Sequence, residues 1–430
     1  MRPSVTAAAC LVVAFASSAV GQTPTISFPD AVRRALEVQP AVVQAEGTQR
    51  NASAAQRTAV GSFLPSLTVG GAAVDKSANQ FNAGTGQIIP GQAGTTFSGS
   101  LGLNLDLFAG FRRTATLNAA SATTRAAEAG LVNQRYQVTA TTAQLYYTAL
   151  ADEELVRVAQ SQVDRSKLSL QVAVNRFQAG AATRADTLSA IVDYGNSELS
   201  LLQAQATLAS GQANLGRQVG LDTPVRALPD SVLPILPDTT HLRQEAMDSS
   251  PQVRQAVAQA QAAQSQIAVN RSQYWPTFSA GYSNGYAAAG GDVFSPNIPY
   301  VGNWSFRLSL NWTLFDGFTR EQAMVSASVQ RDIAEANSQD MRRQLNAQFT
   351  QQLAALFTGY TQIAISGTNV DAANEGLRVQ QERYRVGAAT QLDVLTAEAN
   401  LTQAEVNQVQ ARYNYLVARA QLEALVGHAL

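Results

Sequence analysis

The chain has 430 residues and a formal net charge of −1 at pH 7, with 30 basic and 31 acidic side chains. Nucleic-acid-binding proteins usually carry a basic patch, so this balance argues against that class. The single cysteine, Cys10, lies in an apolar run near the start, so no intramolecular disulfide can form.

The N-terminal residues 1–21 are predicted to be a secretory signal peptide. Arg2 precedes an apolar run, and small residues follow that run. The stretch that ends at Cys10 is weakly similar to a lipoprotein cleavage box, which leaves a lipid anchor as an alternative. No later stretch has the ~18 uninterrupted apolar residues of a membrane-spanning helix.

The first elements after this segment are predicted from the period of the apolar residues. Residues 30–60 are expected to be helical, with a possible break at Pro40. Alternation predicts a strand over 63–74, then a loop over 75–96. A second strand follows, in which Leu101, Leu103, Leu105 and Leu107 alternate with polar or small residues, and this is strict period two.

Two long helices are predicted next. No proline occurs between residues 110 and 177, and about 67 helical residues at ~1.5 Å each would extend roughly 100 Å. Such a length indicates a coiled bundle. A return helix starts at Thr183. Its heptad seam, interrupted by Gly195, is Leu188, Val192, Leu199 and Leu202, with Ala206, Ala209 and Ala213 beyond.

A proline-rich linker separates these elements from a second series in the same order. The second series comprises a helix over 241–272, a strand near 278–282, a loop over 287–302, a strand over 305–314, a helix over 318–382 and a helix ending at Val426. The predicted organisation is a signal peptide over 1–21, a first repeat over 22–220, a Pro-rich linker over 221–240 and a second repeat over 241–430.

Two matching stretches, 176–188 and 383–395, support this duplication at an offset of 207 residues. In both, Arg, an aromatic residue, Gly, Thr, Asp and Leu are in register. The glycines, Gly180 and Gly387, suit the left-handed position after a helix. Thr183 with Asp186, and Thr390 with Asp393, have the spacing of a capping box. Each stretch is therefore predicted to be the tip of a helical hairpin.

The alternating strands fit a transmembrane β-sheet with lipid on one face and water on the other. A soluble antiparallel sheet with one wet face fits the alternation equally well. The signal peptide, the leucine face and the long helices favour the membrane. Candidates for an aromatic belt at the membrane interfaces are Trp275, Tyr282, Trp304 and Trp312.

Four strands cannot close a barrel, and unpaired backbone groups in lipid cost several kcal/mol each. The chain is therefore expected to oligomerise. Two copies would supply about eight strands and three copies about twelve.

Together these features resemble the TolC family of outer-membrane efflux and secretion channels. The most specific parts are the duplicated R-[FY]-x-x-G-x-x-T-x-x-D-x-L tips and the L-F-x-G-F strand exits at 107–111 and 314–318. The resemblance implies a mainly α fold with a small β part. It implies a homotrimer whose long-helix hairpins form a periplasmic α-barrel and whose strands share one transmembrane β-barrel in the outer membrane. The implied partners are a periplasmic adaptor protein, an inner-membrane pump and outer-membrane lipid.

The resemblance also implies roles for the residues of the tips. Expected adaptor contacts are Arg176, Gly180, Ala181, Thr183, Arg383, Gly387, Ala388 and Thr390. Expected members of a periplasmic gate are Asp186, Tyr384 and Asp393, although capping alone would also explain the two aspartates. The match is incomplete: Ala389 stands where the family has a basic residue, and Thr396 where it has a second lining acid.

The expected function is a passive exit duct of a tripartite efflux pump or of a type I secretion system. The alternative is a non-channel coiled-coil structural protein of the cell surface. No enzyme activity is expected, and no catalytic residue, cofactor or metal site. The chain lacks H-E-x-x-H, a cysteine pair and G-x-x-x-x-G-K-[ST].

Overall fold

The computed structural model describes residues 23–76, 80–89, 94–229, 236, 241–289 and 300–430. The predicted signal peptide and much of the predicted linker lie outside these residues. The helices are α1 (Phe28–Val38), α2 (Pro40–Gly61), α3 (Arg112–Gln178), α4 (Arg184–Gln218), α5 (Leu242–Ser249), α6 (Pro251–Arg271), α7 (Thr319–Arg385) and α8 (Gln391–Val426). The strands are β1 (Thr25–Ile26), β2 (Ser66–Lys76), β3 (Gln80–Asn82), β4 (Gln87–Ile89), β5 (Gly94–Ala109), β6 (Arg226–Ala227), β7 (Thr277–Ala289) and β8 (Tyr300–Asn311).

The mainly α fold with a small β part is confirmed. Helices α3 and α7 contain 67 residues each, close to their predicted bounds. The helical break at Pro40 is also confirmed. One predicted helix is wrong, because residues 241–272 form both α5 and α6. Ser250 between them is not helical, with ψ 127°, since the proline at 251 disfavours helical backbone in the residue before it.

A four-stranded antiparallel sheet in the order β2-β5-β7-β8 carries the predicted alternation. Leu67 pairs with Leu103, Leu103 with Tyr282, and Tyr282 with Phe306, so one apolar face crosses all four strands. The neighbouring positions, such as Ser283 opposite Ser305, form a polar face. The register, and not only the alternation within each strand, therefore sorts apolar and polar side chains onto opposite faces.

The predicted loops are shorter in the structure than in the sequence-based assignment. Residues 75–96 contain the hairpin β3–β4 and the start of β5, and β7 and β8 extend into both ends of 287–302. The glycine and asparagine residues suggested a continuous loop here. The same residue types also occur in the turn of the β3–β4 hairpin, where Gly86 has φ +66°. The strand predicted to reach residue 314 ends at Asn311.

The chain divides into two compact units. The first is drawn from Met1–Gln39, Val138–Leu236 and Ala354–Gln421, and it contains the ends of both helical hairpins. Within this unit, Tyr146 and Tyr147 pack with Phe28, and the Tyr146 hydroxyl donates to the Leu228 carbonyl at 2.6 Å. A second cluster joins α7 to α8 through Leu377, Tyr384, Val394 and Leu401.

The second unit is drawn from Pro40–Gln137, Pro237–Leu353 and Leu422–Leu430, and it contains the four-stranded sheet. Its helices pack around Val253, Leu345 and Leu425. The chain leaves β5 through Gly110, which has φ +61°. A Cβ at Gly110 would lie 2.7 Å from the Ser272 carbonyl oxygen, so a side chain is excluded there.

Candidate functional site: the hairpin ends

Both hairpin tips end their first helix in the predicted way. Gly180 has φ +73°, and the Ala181 N–H donates to the Arg176 carbonyl at 2.8 Å. In the second tip, Gly387 has φ +79°, and an equivalent bond of 2.8 Å joins Ala388 to Arg383. A left-handed glycine with this bond is the Schellman ending, which satisfies carbonyls that the helix leaves free.

Both tips also begin their second helix with the predicted cap. The Asp186 N–H donates to the Thr183 hydroxyl at 3.2 Å, and the Thr183 N–H donates to the Asp186 carboxylate at 2.8 Å. Thr390 and Asp393 make the same two bonds at 3.2 and 2.7 Å. The capping box is confirmed at both positions. The backbone hydrogen bond from the threonine is the main cause that lowers the pKa of each aspartate below its ordinary value.

One contact joins the first hairpin to the second near the tips. The Arg176 guanidinium lies 4.2 Å from the centre of the Tyr384 ring and also donates to the Tyr384 carbonyl. Burial raises the pKa of the Tyr384 hydroxyl, Arg176 opposes this rise, and Asp186 adds to it. Two of the three gate candidates, Asp186 and Tyr384, are therefore electrostatic neighbours of Arg176. Asp393 is exposed and bonds with its own cap.

The residues expected to contact an adaptor are mostly exposed. Seven of these eight residues are exposed: Gly180, Ala181, Thr183, Arg383, Gly387, Ala388 and Thr390. The eighth, Arg176, is half-buried. Arg383 donates to the Ala388 carbonyl at 3.4 Å, across its own turn. The tips therefore present small side chains and capped backbone to their surroundings.

A partly buried polar group that begins beside the second tip was missed by sequence reasoning. We call it the junction cluster; it comprises Arg165, Ser169, Asp193, Gln391, Glu398 and Glu405. Arg165 of α3 donates to both carboxylate oxygens of Glu405 on α8, at 2.9 and 3.1 Å. The Gln391 amide of α8 donates to the Ser169 hydroxyl of α3 at 3.0 Å. These contacts tie the second hairpin to the first.

Glu398 is the most perturbed acid of the junction cluster. Only 6% of it is exposed, and burial is the main cause that raises its pKa from 4.5 to about 7. The charge of Asp193 adds to this rise, whereas Arg165 and the Ser169 hydrogen bond oppose it. Burial also raises the pKa of Asp193. The sequence did contain a signal that these acids face inward. Glu398 lies four residues after the buried Val394, and Glu405 lies four residues after the buried Leu401. Residues four apart share one face of a helix.

The predicted heptad seam of α4 is exposed in the part of the chain that the structure describes. Leu188, Val192, Leu199 and Leu202 are 52%, 62%, 63% and 61% exposed. The opposite stripe of α4 is the buried one, with Ala190 at 1% and Leu215 at 0%. Helix α7 and the turn after it carry a similar exposed stripe at seven-residue spacing: Ile365, Ala372, Val379 and Val386.

The belt candidates lie at two levels of the sheet. Trp275 and Trp312 flank Thr277 and Asn311, which pair at one end. Trp304 is seven residues from Asn311, or about 23 Å along the strand. Opposite Trp304 is Asn284, a polar residue on the otherwise apolar face. Tyr282 pairs with Phe306, two residues closer to the middle of the sheet.

Comparison with known proteins agrees with this geometry. The family model described as outer membrane efflux protein matches residues 31–221 and 242–428. The cobalt-zinc-cadmium resistance protein CzcC of Cupriavidus metallidurans is 27% identical over 311 residues, which cover 70% of each chain. The probable efflux pump outer membrane protein TtgC of Pseudomonas putida is 23% identical over 354 residues, covering 78% of this chain and 70% of TtgC.

Two solved structures share the fold. The outer membrane protein VceC of Vibrio cholerae superposes with a TM-score of 0.78 at 18% identity, covering 94% of this chain and 96% of VceC. The Campylobacter jejuni CmeC outer membrane channel gives a TM-score of 0.79 at 17% identity, covering 93% of this chain and 85% of CmeC.

Long helical hairpins joined to a sheet with one apolar face, together with the family match, define a protein of the outer-membrane efflux class, with the sheet in the membrane and the helices in the periplasm. The chain belongs to the outer membrane efflux protein family. Its function is efflux across the outer membrane, and the alternative of a non-channel coiled-coil structural protein is not favoured. Within the described residues, no helix combines the length and hydropathy needed to cross a membrane.

Proposed function

We propose that three copies of this chain assemble into the exit duct of a tripartite efflux pump. The duct is a passive conduit for cargo that an inner-membrane pump delivers through a periplasmic adaptor. The observation that carries the proposal is that the described part of one chain leaves two kinds of surface open: the edges of its sheet and the outer stripes of its hairpins.

The sheet edges support an assembly in the membrane. Strands β2 and β8 each have one neighbour among the described strands of the four-stranded sheet, so one side of each is free. In lipid, free backbone groups are costly, and closure of the sheet removes the cost. Four strands from each of three copies give a barrel of about twelve strands, with the apolar face toward lipid.

The hairpin stripes support the same assembly in the periplasm. The apolar stripes of α4 and α7 have heptad spacing, and each is exposed in the isolated chain. Because α4 leads away from its tip and α7 leads toward its own, α4 of one copy can pack antiparallel on α7 of the next. Such a seam buries both stripes at once and closes the helices into a ring.

We assign the tips to the adaptor and the gate. The exposed glycines, alanines and threonines of both tips form the adaptor contact, together with Arg176 and Arg383. Asp186 and Tyr384 belong to the gate through Arg176, and Asp393 supplies one charge per chain to a ring at the mouth of the duct. The aromatic belt is Trp275, Trp304 and Trp312, with Tyr282 just inside it.

We further infer that the two series of elements are copies of one repeat. Four positions with positive φ in the first series, Gly110, Phe111, Gly180 and Gly220, have counterparts 207 residues later at Gly317, Phe318, Gly387 and Gly427. The duct carries out no covalent chemistry. The family includes relatives named for cobalt-zinc-cadmium resistance and for toluene efflux, which favours selection of cargo by the pump.

The oligomer is tested by placing a charge in the α4 stripe. Leu199→Glu buries a carboxylate in the proposed seam, so the trimer should be lost in detergent, together with conductance in planar bilayers. Gln203→Glu adds the same charge at an exposed polar position of α4 and should leave the trimer intact. A trimer that forms normally with Leu199→Glu would refute this seam.

The gate assignment is tested by ion selectivity. Asp393→Asn keeps a hydrogen-bonding side chain at the cap but removes the charge, so cation preference in planar bilayers should fall. Thr390→Ala weakens the cap and keeps the charge, so it should leave the preference unchanged. Unaltered selectivity in Asp393→Asn would leave Asp393 as a capping residue only.

The adaptor contact is tested by crosslinking. Cysteines placed at Ala181 and Ala388, in a Cys10→Ser background, should capture one periplasmic protein from cells that express the complete pump. A cysteine at the exposed Gln203, remote from the tips, should not capture the same protein. Capture from Gln203 alone would move the contact away from the tips.

A further inference from the structure

Glu398 occupies a position that the duct function alone does not require. It lies on the wall of a cavity of about 520 Å³ between the two hairpins. The wall also includes Arg165, Leu168, Val172, Tyr384 and Arg385. Among the residues that the structure describes, Glu398 forms no salt bridge, and the nearby Arg165 is held by both oxygens of Glu405. Its hydrogen bond is with the Ser169 hydroxyl.

The groups that face Glu398 come from several helices. From α4, Asp193 presents a second carboxylate whose charge disfavours ionisation of Glu398. From α3, Arg165 acts in the opposite direction. From α7, Glu382 and Arg385 lie on the same cavity and pair with each other at 2.9 Å. Glu398 thus faces the Asp193 carboxylate and Arg165, an arginine that already has another partner. Arg176 of α3 also lines the cavity, where it lies over the Tyr384 ring.

We propose that Glu398 is a proton-binding site that holds the second hairpin against the first. With a proton bound, the carboxyl is neutral and hydrogen-bonds inside the closed junction. When the proton leaves to water, the buried and now charged Glu398 faces the half-buried Asp193 carboxylate. This favours separation of α8 from α3 and α4, and the separated state lets Glu398 become hydrated.

The direction of the pH effect follows from the two states of this group. In the closed junction, burial raises the Glu398 pKa to about 7, and in the separated state it returns toward the ordinary 4.5. The protonated form therefore stabilises the closed junction fully below about pH 4.5, and this stabilisation is lost as pH rises through 7. Between pH 6 and pH 8.5, the ratio of joined to separated hairpins should fall about tenfold.

The proposal is tested by measuring the distance between the two tips. Nitroxide labels on cysteines at Ala181 and Ala388, in a Cys10→Ser background of the full chain, report the separation by pulsed electron paramagnetic resonance. In the otherwise unchanged protein, the longer-distance population should grow about tenfold relative to the shorter one between pH 6 and pH 8.5. Glu398→Gln, which is neutral at every pH and nearly the same size, should keep the shorter distance throughout.

The matched control is Glu375→Gln, which removes an exposed carboxylate from α7 in the same unit and should retain the full pH response. Two results would overturn the proposal: a distance that does not change with pH, or a Glu398→Gln protein that still responds. Conductance is measured separately. If the distance between the tips depends on pH but no conductance is found, the proposed duct is refuted and the proton site is supported. If conductance is found but the distance stays constant, the proton site is refuted and the duct is supported.

Discussion

The acids at the hairpin ends fall into two groups that differ in surroundings more than in sequence position. Asp393 and Glu398 are five residues apart on α8. Asp393 is exposed and accepts a backbone hydrogen bond from Thr390, which lowers its pKa, whereas burial raises the pKa of Glu398 to about 7. Asp186 in the first tip behaves as Asp393 does. Near pH 7 the capping acids are therefore charged, whereas Glu398 gains and loses its proton in this range, so of these three acids the buried one responds to pH near neutrality.

The largest effect is expected where the junction cluster loses the arginine that offsets its acids. Arg165→Ala leaves the half-buried Glu405 unpaired and removes the charge that offsets Glu398 and Asp193. We expect the free energy of unfolding to fall by about 2–3 kcal/mol at pH 8, measured by chemical denaturation in detergent with helix content as the signal. At pH 5, where Glu398 is protonated, the loss should be smaller. An equal loss at both pH values would contradict the neutral state of Glu398.

The two groups of acids were not equally predictable from sequence. The capping acids follow a local rule: a threonine after a turn glycine and an acid three residues later define the bonds that Asp186 and Asp393 make. The long helices were predictable for the same reason, since the absence of proline and the apolar period act over short distances. The break at residue 250 was missed although Pro40 marks the equivalent break in the first half.

The junction cluster depends on which helices become neighbours, and local patterns do not contain that information. Residues 165 and 405 are 240 positions apart, and their pairing requires α3 to lie against α8. The α4 seam is a second case in which a local pattern does not identify the neighbouring helix. Its heptad spacing was correctly identified, but spacing alone does not say whether the partner helix belongs to the same chain.

A smaller effect is expected from a cap. Thr183→Ala removes the hydroxyl that accepts the Asp186 N–H, so the start of α4 should lose about 1 kcal/mol of stability. The local measurement is the rate of proteolytic cleavage at the first tip, which should rise severalfold. Thr183→Ser retains the hydroxyl and should cleave at nearly the original rate. A Thr183→Ala tip as resistant as the original would show that packing, and not the cap, holds this turn.

The charge of the capping acid should contribute less than the whole cap, and its pH dependence is opposite in sign to that of Glu398. The pKa of Asp186 is lowered in the folded tip, so its contribution is complete above its ordinary value of 3.8 and is lost as pH falls through the lowered value. Asp186→Asn should therefore cleave faster than the original protein at pH 7. The difference should shrink as pH falls through the lowered pKa of Asp186, where the carboxyl takes up a proton and becomes neutral like the amide. A difference that grows at low pH would reverse this assignment.

The smallest effect is expected at the ion pair of Arg378 and Glu375. Like Arg165 with Glu405, this pair has two hydrogen bonds, but it lies in more exposed surroundings. Arg378 donates to both carboxylate oxygens of Glu375, at 2.6 and 2.8 Å, which is shorter than either bond from Arg165 to Glu405. The side chains of Arg378 and Glu375 are 65% and 60% exposed, however, whereas those of Arg165 and Glu405 are 20% and 22% exposed. Water and salt screen the exposed charges and hydrate whichever partner is left alone. Arg378→Ala should therefore leave the denaturation midpoint unchanged within error, at low and at high salt. If Arg378→Ala destabilised the protein as much as Arg165→Ala, then bond geometry and not burial would determine how much each ion pair contributes to stability. That result would also contradict the difference drawn here between the exposed and the buried acids.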